Sequence, residues 1–241
     1  MSMKASAGRP RRFAAGPVWL ALLAPAMLSA CLAASRGPDP RGMSGFLDDY
    51  SRLREGRPEQ PSFVYRNPKV DWTAYNRILF EPVTIWRSGK GSLAGIAEED
   101  LQRLAAEFHT AVHSRIAGIY HLVNEPAPGV MRIRLGITDA RQSDPVLDVF
   151  TFDVPPAHAV PGEQKLNAGM QALAAAAAIE GEITDSVTGE LLAAGVDRRR
   201  KTREITSWEE LRAAVDRWAS WLADRLERAR SGQLPAQATE R

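Results

Sequence analysis

Two stretches of the chain carry large apolar residues at helical spacing. Between Glu98 and Gly118 these residues are Leu101, Leu104, Phe108, Val112 and Ile116. After Ser207 they are Leu211, Val215, Trp218, Leu222 and Leu226. A period of three to four residues places such side chains on one face of a helix. The sequence therefore predicts two amphipathic helices, one ending near Gly118 and one capped by Ser207, with Glu210 completing a capping box.

Other segments alternate between apolar and polar residues, as strands do. Residues 131–138 alternate cleanly, with Arg132 and Arg134 on the polar face. Residues 77–86 are apolar on both faces, which predicts a buried strand that Pro82 forces to an edge or a bulge. Short strands are also predicted at residues 120–123 and 146–154.

A hairpin is predicted between residues 179 and 199. Its first strand alternates up to Asp185, its turn covers residues 185–190, and Gly189 suits a positive φ angle there. The preceding residues, 172–178, are rich in alanine, which favours a helix by propensity. We assign them to the strand instead, because the alternation follows directly and small side chains would let a helix pack closely on the sheet.

These elements together predict an α+β fold. Two main helices would pack against one mostly antiparallel sheet in a two-layer sandwich, formed by a single domain at residues 62–230. Residues 231–241 read as a polar tail. Residues 33–61 are rich in Gly, Pro, Arg, Ser and Asp and read as a tether. Within it, Phe46, Leu47, Tyr50 and Leu53 have helical spacing, which predicts one or two turns docked on the domain.

The first thirty residues have the layout of a secretory signal peptide. A basic start is followed by an uncharged apolar run and then by small residues. The run ends in Leu28, Ser29, Ala30 and Cys31, which resembles the bacterial lipobox. That resemblance implies cleavage between Ala30 and Cys31 and attachment of diacylglycerol to the Cys31 thiol. A permanent transmembrane helix and an ordinary cleaved signal peptide are the alternatives.

The lipobox resemblance also bears on the location of the protein. Acyl chains on Cys31 would anchor a water-soluble domain to membrane lipid, since each buried CH₂ contributes about 0.8 kcal/mol. Leu32 stands where, in similar lipoproteins, an aspartate retains the protein in the inner membrane. The resemblance therefore implies a bacterial cell-envelope protein at the outer membrane, facing the periplasm.

Charge changes the picture once the signal peptide is set aside. The full chain has a net charge of +2, but Lys4, Arg9, Arg11 and Arg12 all precede Cys31. The chain from Cys31 onward has 27 basic and 29 acidic residues, a net of −2. Such a protein has no general electrostatic attraction to nucleic acid. The only cysteine is Cys31 itself, so no internal disulfide can form.

The sequence predicts no catalytic residues, no metal site and no cofactor. The glycine loop at residues 88–92 lacks the Walker pattern, and no Gly-x-Ser-x-Gly elbow is present. His109 and His113 have the i, i+4 spacing of metal ligands, but they lack the zinc-protease glutamate, and His121 and His158 offer no clear third ligand. We interpret His109 and His113 as histidines at the edge of the helical apolar stripe.

The strongest charge cluster lies at residues 197–203. Arg198, Arg199, Arg200 and Lys201 could contact an anionic partner, such as lipid headgroups, lipopolysaccharide phosphate or an acidic protein. The alternative is a solvated strand end with no partner.

Three segments together resemble one known family. They are residues 44–51 (Ser-Gly-Phe-Leu-Asp-Asp-Tyr-Ser), residues 70–86 and the hairpin at residues 183–199. They are similar to an uncharacterised group of bacterial lipoproteins, domain of unknown function 3313. This resemblance implies an envelope lipoprotein and supplies no catalytic residues.

The sequence therefore favours a lipid-anchored, non-catalytic binding or assembly module of the cell envelope, possessing an envelope protein partner. Two other functions stay open. One is a periplasmic, hydrolase-like enzyme with a site assembled from scattered residues. The other is a carrier of lipid or of a small apolar ligand, which would require a roomy apolar pocket.

Overall fold

The computed structural model describes residues 43–88, 96–139, 147–150, 165–198 and 204–233. All of them lie in the compact unit Ser35–Arg241. The helices are α1 (Glu98–Ala117), α2 (Ala168–Ala176) and α3 (Trp208–Arg230), with a 3-10 helix at Trp72–Ala74. Helices α1 and α3 confirm the two predicted amphipathic helices. Among the described residues, no helix is both long and apolar enough to cross a bilayer.

The described residues include nine strands in one sheet. They are β1 (Arg54–Glu55), β2 (Phe63–Arg66), β3 (Arg77–Phe80), β4 (Thr84–Ser88), β5 (His121–Leu122), β6 (Val130–Asp139), β7 (Leu147–Phe150), β8 (Ala177–Asp185) and β9 (Leu191–Asp197). The main order is β1-β2-β9-β8-β6-β3-β5, while β4 pairs with β6 and β7. Most pairs are antiparallel; β3 with β5, β3 with β6 and β4 with β6 are parallel. Helices with a mostly antiparallel sheet confirm the α+β composition.

The centre of the sheet is the long antiparallel pair β6 and β8. Their register runs from Met131 opposite Asp185 to Asp139 opposite Ala177. The apolar positions predicted to face inward on β6 are buried: Met131, Ile133, Leu135 and Ile137. The predicted hairpin follows, with Gly189 at φ 72° in the turn between β8 and β9.

The predicted strand at residues 77–86 is two strands, β3 and β4, which lie one after the other along β6. Phe80 is opposite Ile133 and Thr84 is opposite Gly136, so three residues of one chain segment face two of the other. Pro82, which has no N–H to donate, lies in this bulge. The break therefore occurs where the sequence predicted it.

The assignment of residues 172–178 to a strand is wrong as far as residue 176. Helix α2 occupies Ala168–Ala176, and β8 begins only at Ala177. The Asn167 side chain accepts a hydrogen bond from the Met170 N–H at 2.9 Å and caps the helix. Met170, Leu173 and Ala174 are buried at helical spacing. Alanine propensity and this cap decide the local structure, and the alternation further along does not extend back into it.

The segment predicted as a tether belongs to the folded domain from Met43 onward. Phe46, Leu47 and Leu53 are buried, and β1 pairs with β2. The docking of this segment was predicted, but its helical form was not correct, since residues 44–53 form bends and turns. Contact with the sheet buries the apolar side chains of this segment, so their burial does not require a helix.

The two faces of the sheet carry different clusters. Helices α1, α2 and α3 share one apolar cluster with residues of β3, β6 and β9, among them Ile78, Ile133 and Leu192. On the other face, residues 46–53 pack against Ala194 and Val196 of β9. Alternate residues of a strand point to opposite faces, so Ala193 and Gly195 face the helices. A β-bulge at Leu192 interrupts this alternation, which is why Leu192 also belongs to the helix-side cluster.

The capping box at α3 forms in a modified way. The Ser207 hydroxyl accepts a hydrogen bond from the Glu210 N–H at 3.2 Å, as predicted. The Glu210 carboxylate reaches back one residue further than expected and accepts from the Thr206 N–H at 2.8 Å. Helix α3 thus begins at the predicted residue.

Candidate functional site

A cavity of about 170 Å³ lies between helix α3 and the sheet. Its surface is mostly apolar. The roof is formed by one side of α3: Trp218, Trp221, Leu222, Arg225, Leu226 and Ala229. An apolar cavity under a helix, with few polar groups at its edge, is the usual form of a site for small molecules.

The floor of the cavity explains why it exists. Gly181 and Gly195 face each other on β8 and β9, and Ala193 is the next helix-facing residue on β9. The large side chains of α3 bridge over these small residues and leave space. A Cβ atom at Gly181 would lie 2.6 Å from Leu135 Cδ2, so the neighbouring side chain already uses the room beside this glycine.

One end of the cavity carries two arginines. Arg66, the last residue of β2, and Arg225 of α3 both line it. Arg225 donates to the Glu59 carbonyl at 3.0 Å and lies over the Trp221 ring, 5.4 Å from its centroid. Burial, together with the positive charge of Arg225, lowers the pKa of Arg66. The two guanidinium groups therefore lie close enough to repel each other.

A wider cavity of about 690 Å³ adjoins the first and shares Ile179, Asp197, Trp218 and Trp221 with it. It lies between the three helices and also borders Ile205, next to residues 199–203, which are outside the described ranges. The Trp218 Nε1–H is buried and has no hydrogen-bond partner among the described residues. A ligand that reached Trp218 could accept a hydrogen bond from this N–H.

A polar network occupies the opposite face of the sheet. Its centre is Glu180, which is fully buried. The Tyr50 hydroxyl donates to Glu180 Oε2 at 2.6 Å, and the Thr138 hydroxyl donates to Oε1 at 3.0 Å. Burial and the Glu180 carboxylate raise the pKa of Tyr50, so its hydroxyl stays protonated and keeps donating.

The same network secures the N-terminal segment. The Tyr50 oxygen also lies 3.2 Å from Ser44 Oγ and accepts from the Leu47 N–H at 3.1 Å. Ser44 Oγ accepts from the Phe46 N–H at 3.0 Å, and the Ser44 carbonyl accepts from Trp86 Nε1 at 2.9 Å. The hydroxyls of Tyr50, Ser44 and Thr138 thus each have a structural partner. We interpret the Ser-Gly-Phe-Leu and Asp-Tyr-Ser residues as a fastening for this segment.

The structure describes part of the predicted basic cluster. Arg198 points inward, with its side chain 19% exposed and Nη2 4.0 Å from Glu180 Oε1. Contact of Arg198 with an external anionic partner stays a prediction. Arg199, Arg200 and Lys201 lie outside the described residues, and contact of these three with an anionic partner stays a prediction. Ala30 and Cys31 also lie outside them.

The two histidines of α1 lie at the edge of the apolar stripe of that helix, as interpreted from sequence. The His109 ring stacks on Phe80 at 4.6 Å, and its centroid is 5.9 Å from that of His113. No group of three or more metal-ligating side chains occurs among the described residues. Burial, and secondarily His113, lowers the pKa of His109.

His109 gives a pH prediction. Because its pKa is lower in the folded than in the unfolded chain, the unfolded chain binds the proton first, and stability falls as the pH drops below about 6.5. We expect His109→Gln to reduce this loss, measured by urea unfolding at pH 7.5 and pH 5.5. The control is His121→Gln, at an exposed position. If the His109→Gln protein loses as much stability between pH 7.5 and pH 5.5 as the unaltered protein, other groups cause the acid sensitivity.

These features define a class of protein: an α+β domain with helices over a mostly antiparallel sheet and an apolar cavity between them. The model of the family described as "Protein of unknown function (DUF3313)" matches residues 43–222. The chain belongs to this family, as its sequence resemblance indicated. No curated protein and no solved structure matches the chain significantly.

Proposed function

We propose that this protein is a lipid-anchored, non-catalytic binding module of the bacterial cell envelope, at the outer membrane and facing the periplasm. The observation that carries the binding function is the apolar cavity between α3 and the small residues of β8 and β9. In architecture we propose a two-layer sandwich, to which residues 44–53 are added as a cover on the outer face of the sheet. The hydrogen-bonded polar groups around Glu180 support a structural use of that face.

The revised domain boundary strengthens the proposed link to the membrane. The described fold begins at Met43, twelve residues after Cys31. A fully extended chain of this length reaches about 40 Å. A lipid on Cys31 would therefore keep the cavity within a short distance of the bilayer, where apolar ligands are concentrated.

The anchor is tested on the protein isolated from cells. We expect mass spectrometry to show an N-terminus at Cys31 that carries acyl chains, and Cys31→Ser to move the protein from the membrane to the soluble fraction. Stable anchoring requires two or more chains, so the loss should be nearly complete. Ser29→Ala, which keeps a small residue in the lipobox, is the control. A Cys31→Ser protein that stays equally membrane-bound would refute the anchor.

The cavity is tested by filling it. We expect Ala193→Leu to abolish binding of octan-1-ol. The added carbon atoms occupy the floor of a cavity that has room for only about six carbon atoms. Ala117→Leu adds the same atoms at an exposed position of α1 and should leave binding unchanged. Binding is measured by isothermal titration calorimetry, and circular dichroism checks that both variants fold. If octan-1-ol does not bind the unaltered protein, the binding function fails.

The same preparations test the alternative of an enzyme. If the protein turns over esters, glycans or peptides, and a single polar substitution abolishes that turnover, an enzymatic function would replace the proposed one.

Crosslinking in intact cells separately tests the envelope protein partner. Charge reversal at Arg199 and Arg200 should weaken any contact made through the basic cluster.

A further inference from the structure

The charges around the narrow cavity are unevenly distributed. Arg66 is paired in register with Ala193 on β9, and Arg225 of α3 lines the same cavity. The lining carboxylate Asp197 is four residues further along β9, about 13 Å away along the strand. Glu182, the other acidic residue among the described lining residues, directs its carboxylate to the opposite face of the sheet, where it accepts from Arg134. Two arginines therefore line the cavity at one end, and Asp197 lies away from them.

The size of the cavity limits what it can hold. A volume of about 170 Å³ is close to that of an engineered protein cavity of about 150 Å³ that binds benzene. It has room for a chain or ring of about six carbon atoms. Its lining includes Leu135, Ile179, Ile183 and Leu222, so an unbranched apolar chain would be in contact with carbon.

From these observations we propose that the cavity binds the acyl chain of an anionic amphiphile, with its carboxylate or phosphate head group against Arg66 and Arg225. This rests on the proposed binding function and adds the class of ligand. An anion between the two guanidinium groups relieves their mutual repulsion and gains charge-assisted hydrogen bonds, for which arginine geometry is suited. Transfer of the acyl chain from water into the apolar part of the cavity also favours binding.

The amphipathic character of the rim supports the same ligand. Trp221 stacks under Arg225, and its Nε1 donates to the Glu59 carbonyl at 3.2 Å. Arg225 donates to that same carbonyl, so both side chains are held against the edge of the cavity. A head group that meets Arg225 would thus find a positioned guanidinium, which loses little freedom on binding.

The test compares three probes of equal chain length: octanoate, octyl phosphate and octan-1-ol. They are titrated by calorimetry into the mature protein held in phosphatidylcholine vesicles, with protein-free vesicles as the blank. If Cys31 proves to carry no lipid, the mature chain is titrated without vesicles. We expect both anions to bind at least about tenfold more tightly than octan-1-ol, since a charged hydrogen bond contributes that much. The better of the two anions identifies the head group.

The variants separate charge from shape. We expect Arg225→Gln to weaken octanoate about tenfold and to weaken octan-1-ol much less, whereas Arg225→Lys retains most of the anion preference. Arg66→Gln should act in the same direction. Arg228→Gln, exposed on the same helix, is the matched control. Equal affinity for octanoate and octan-1-ol, or an anion preference that survives both Gln variants, would overturn the ligand class while the binding function stands. If none of the probes binds, both proposals fall.

Discussion

Glu180→Ala is expected to destabilise the fold by about 3–5 kcal/mol, because it breaks a buried charged network by removing one partner. The substitution leaves Arg198, 19% exposed, without the carboxylate 4.0 Å away. It also removes the acceptor of the Tyr50 and Thr138 hydroxyls. Thr138 is fully buried, so its hydroxyl has no easy access to water and its lost hydrogen bond is not replaced.

The size of this effect is measured by urea unfolding at pH 7.5. Glu180→Gln keeps the volume and one acceptor and should therefore cost less than the alanine variant. Glu227→Ala removes an exposed carboxylate from α3 and should change stability by no more than about 0.5 kcal/mol. If Glu180→Ala costs no more than Glu227→Ala, the network does not stabilise the protein.

The sequence could not have revealed this network by its pattern. On β8 the glutamates alternate with Ile179, Gly181 and Ile183, and such alternation ordinarily indicates a solvent-exposed polar face. The partner Tyr50 is 130 residues away along the chain. Periodicity reports which residues share a face, and it does not report what later covers that face. The assignment of residues 43–61 to a tether was wrong for the same reason.

Local rules succeeded where neighbouring residues decide the structure. The stripes of α1 and α3, the Ser207 cap, the turn at Gly189 and the break at Pro82 all depend on residues within a few positions. Helix α2 was equally local, and its Asn167 cap was an available signal. The cavity was not predictable, because its volume depends on the distance at which α3 packs over Gly181, Ala193 and Gly195.

Phe46→Ala is the second large expected effect, about 3–5 kcal/mol, the usual cost of emptying a buried phenylalanine site. The Phe46 ring is 2% exposed and lies against Gly136 of β6, edge-on to Trp86 at 5.6 Å. Arg134 also lies over this ring, 5.2 Å from its centroid. We expect the variant to release residues 43–53 to limited proteolysis before the rest of the domain unfolds, because Phe46 is the largest buried side chain of that segment.

A substitution from the other side of this contact tests its geometry. A Cβ atom on Gly136 would lie 2.6 Å from Phe46 Cε2, so Gly136→Val must displace the ring and should cost about 1–3 kcal/mol. In a Phe46→Ala background the same valine meets empty space and should cost little, which makes the two changes strongly non-additive in a double-mutant cycle. Urea unfolding of the four proteins gives the coupling energy. Additive effects would mean that the ring does not lie on Gly136, and that the N-terminal segment covers the sheet in some other way.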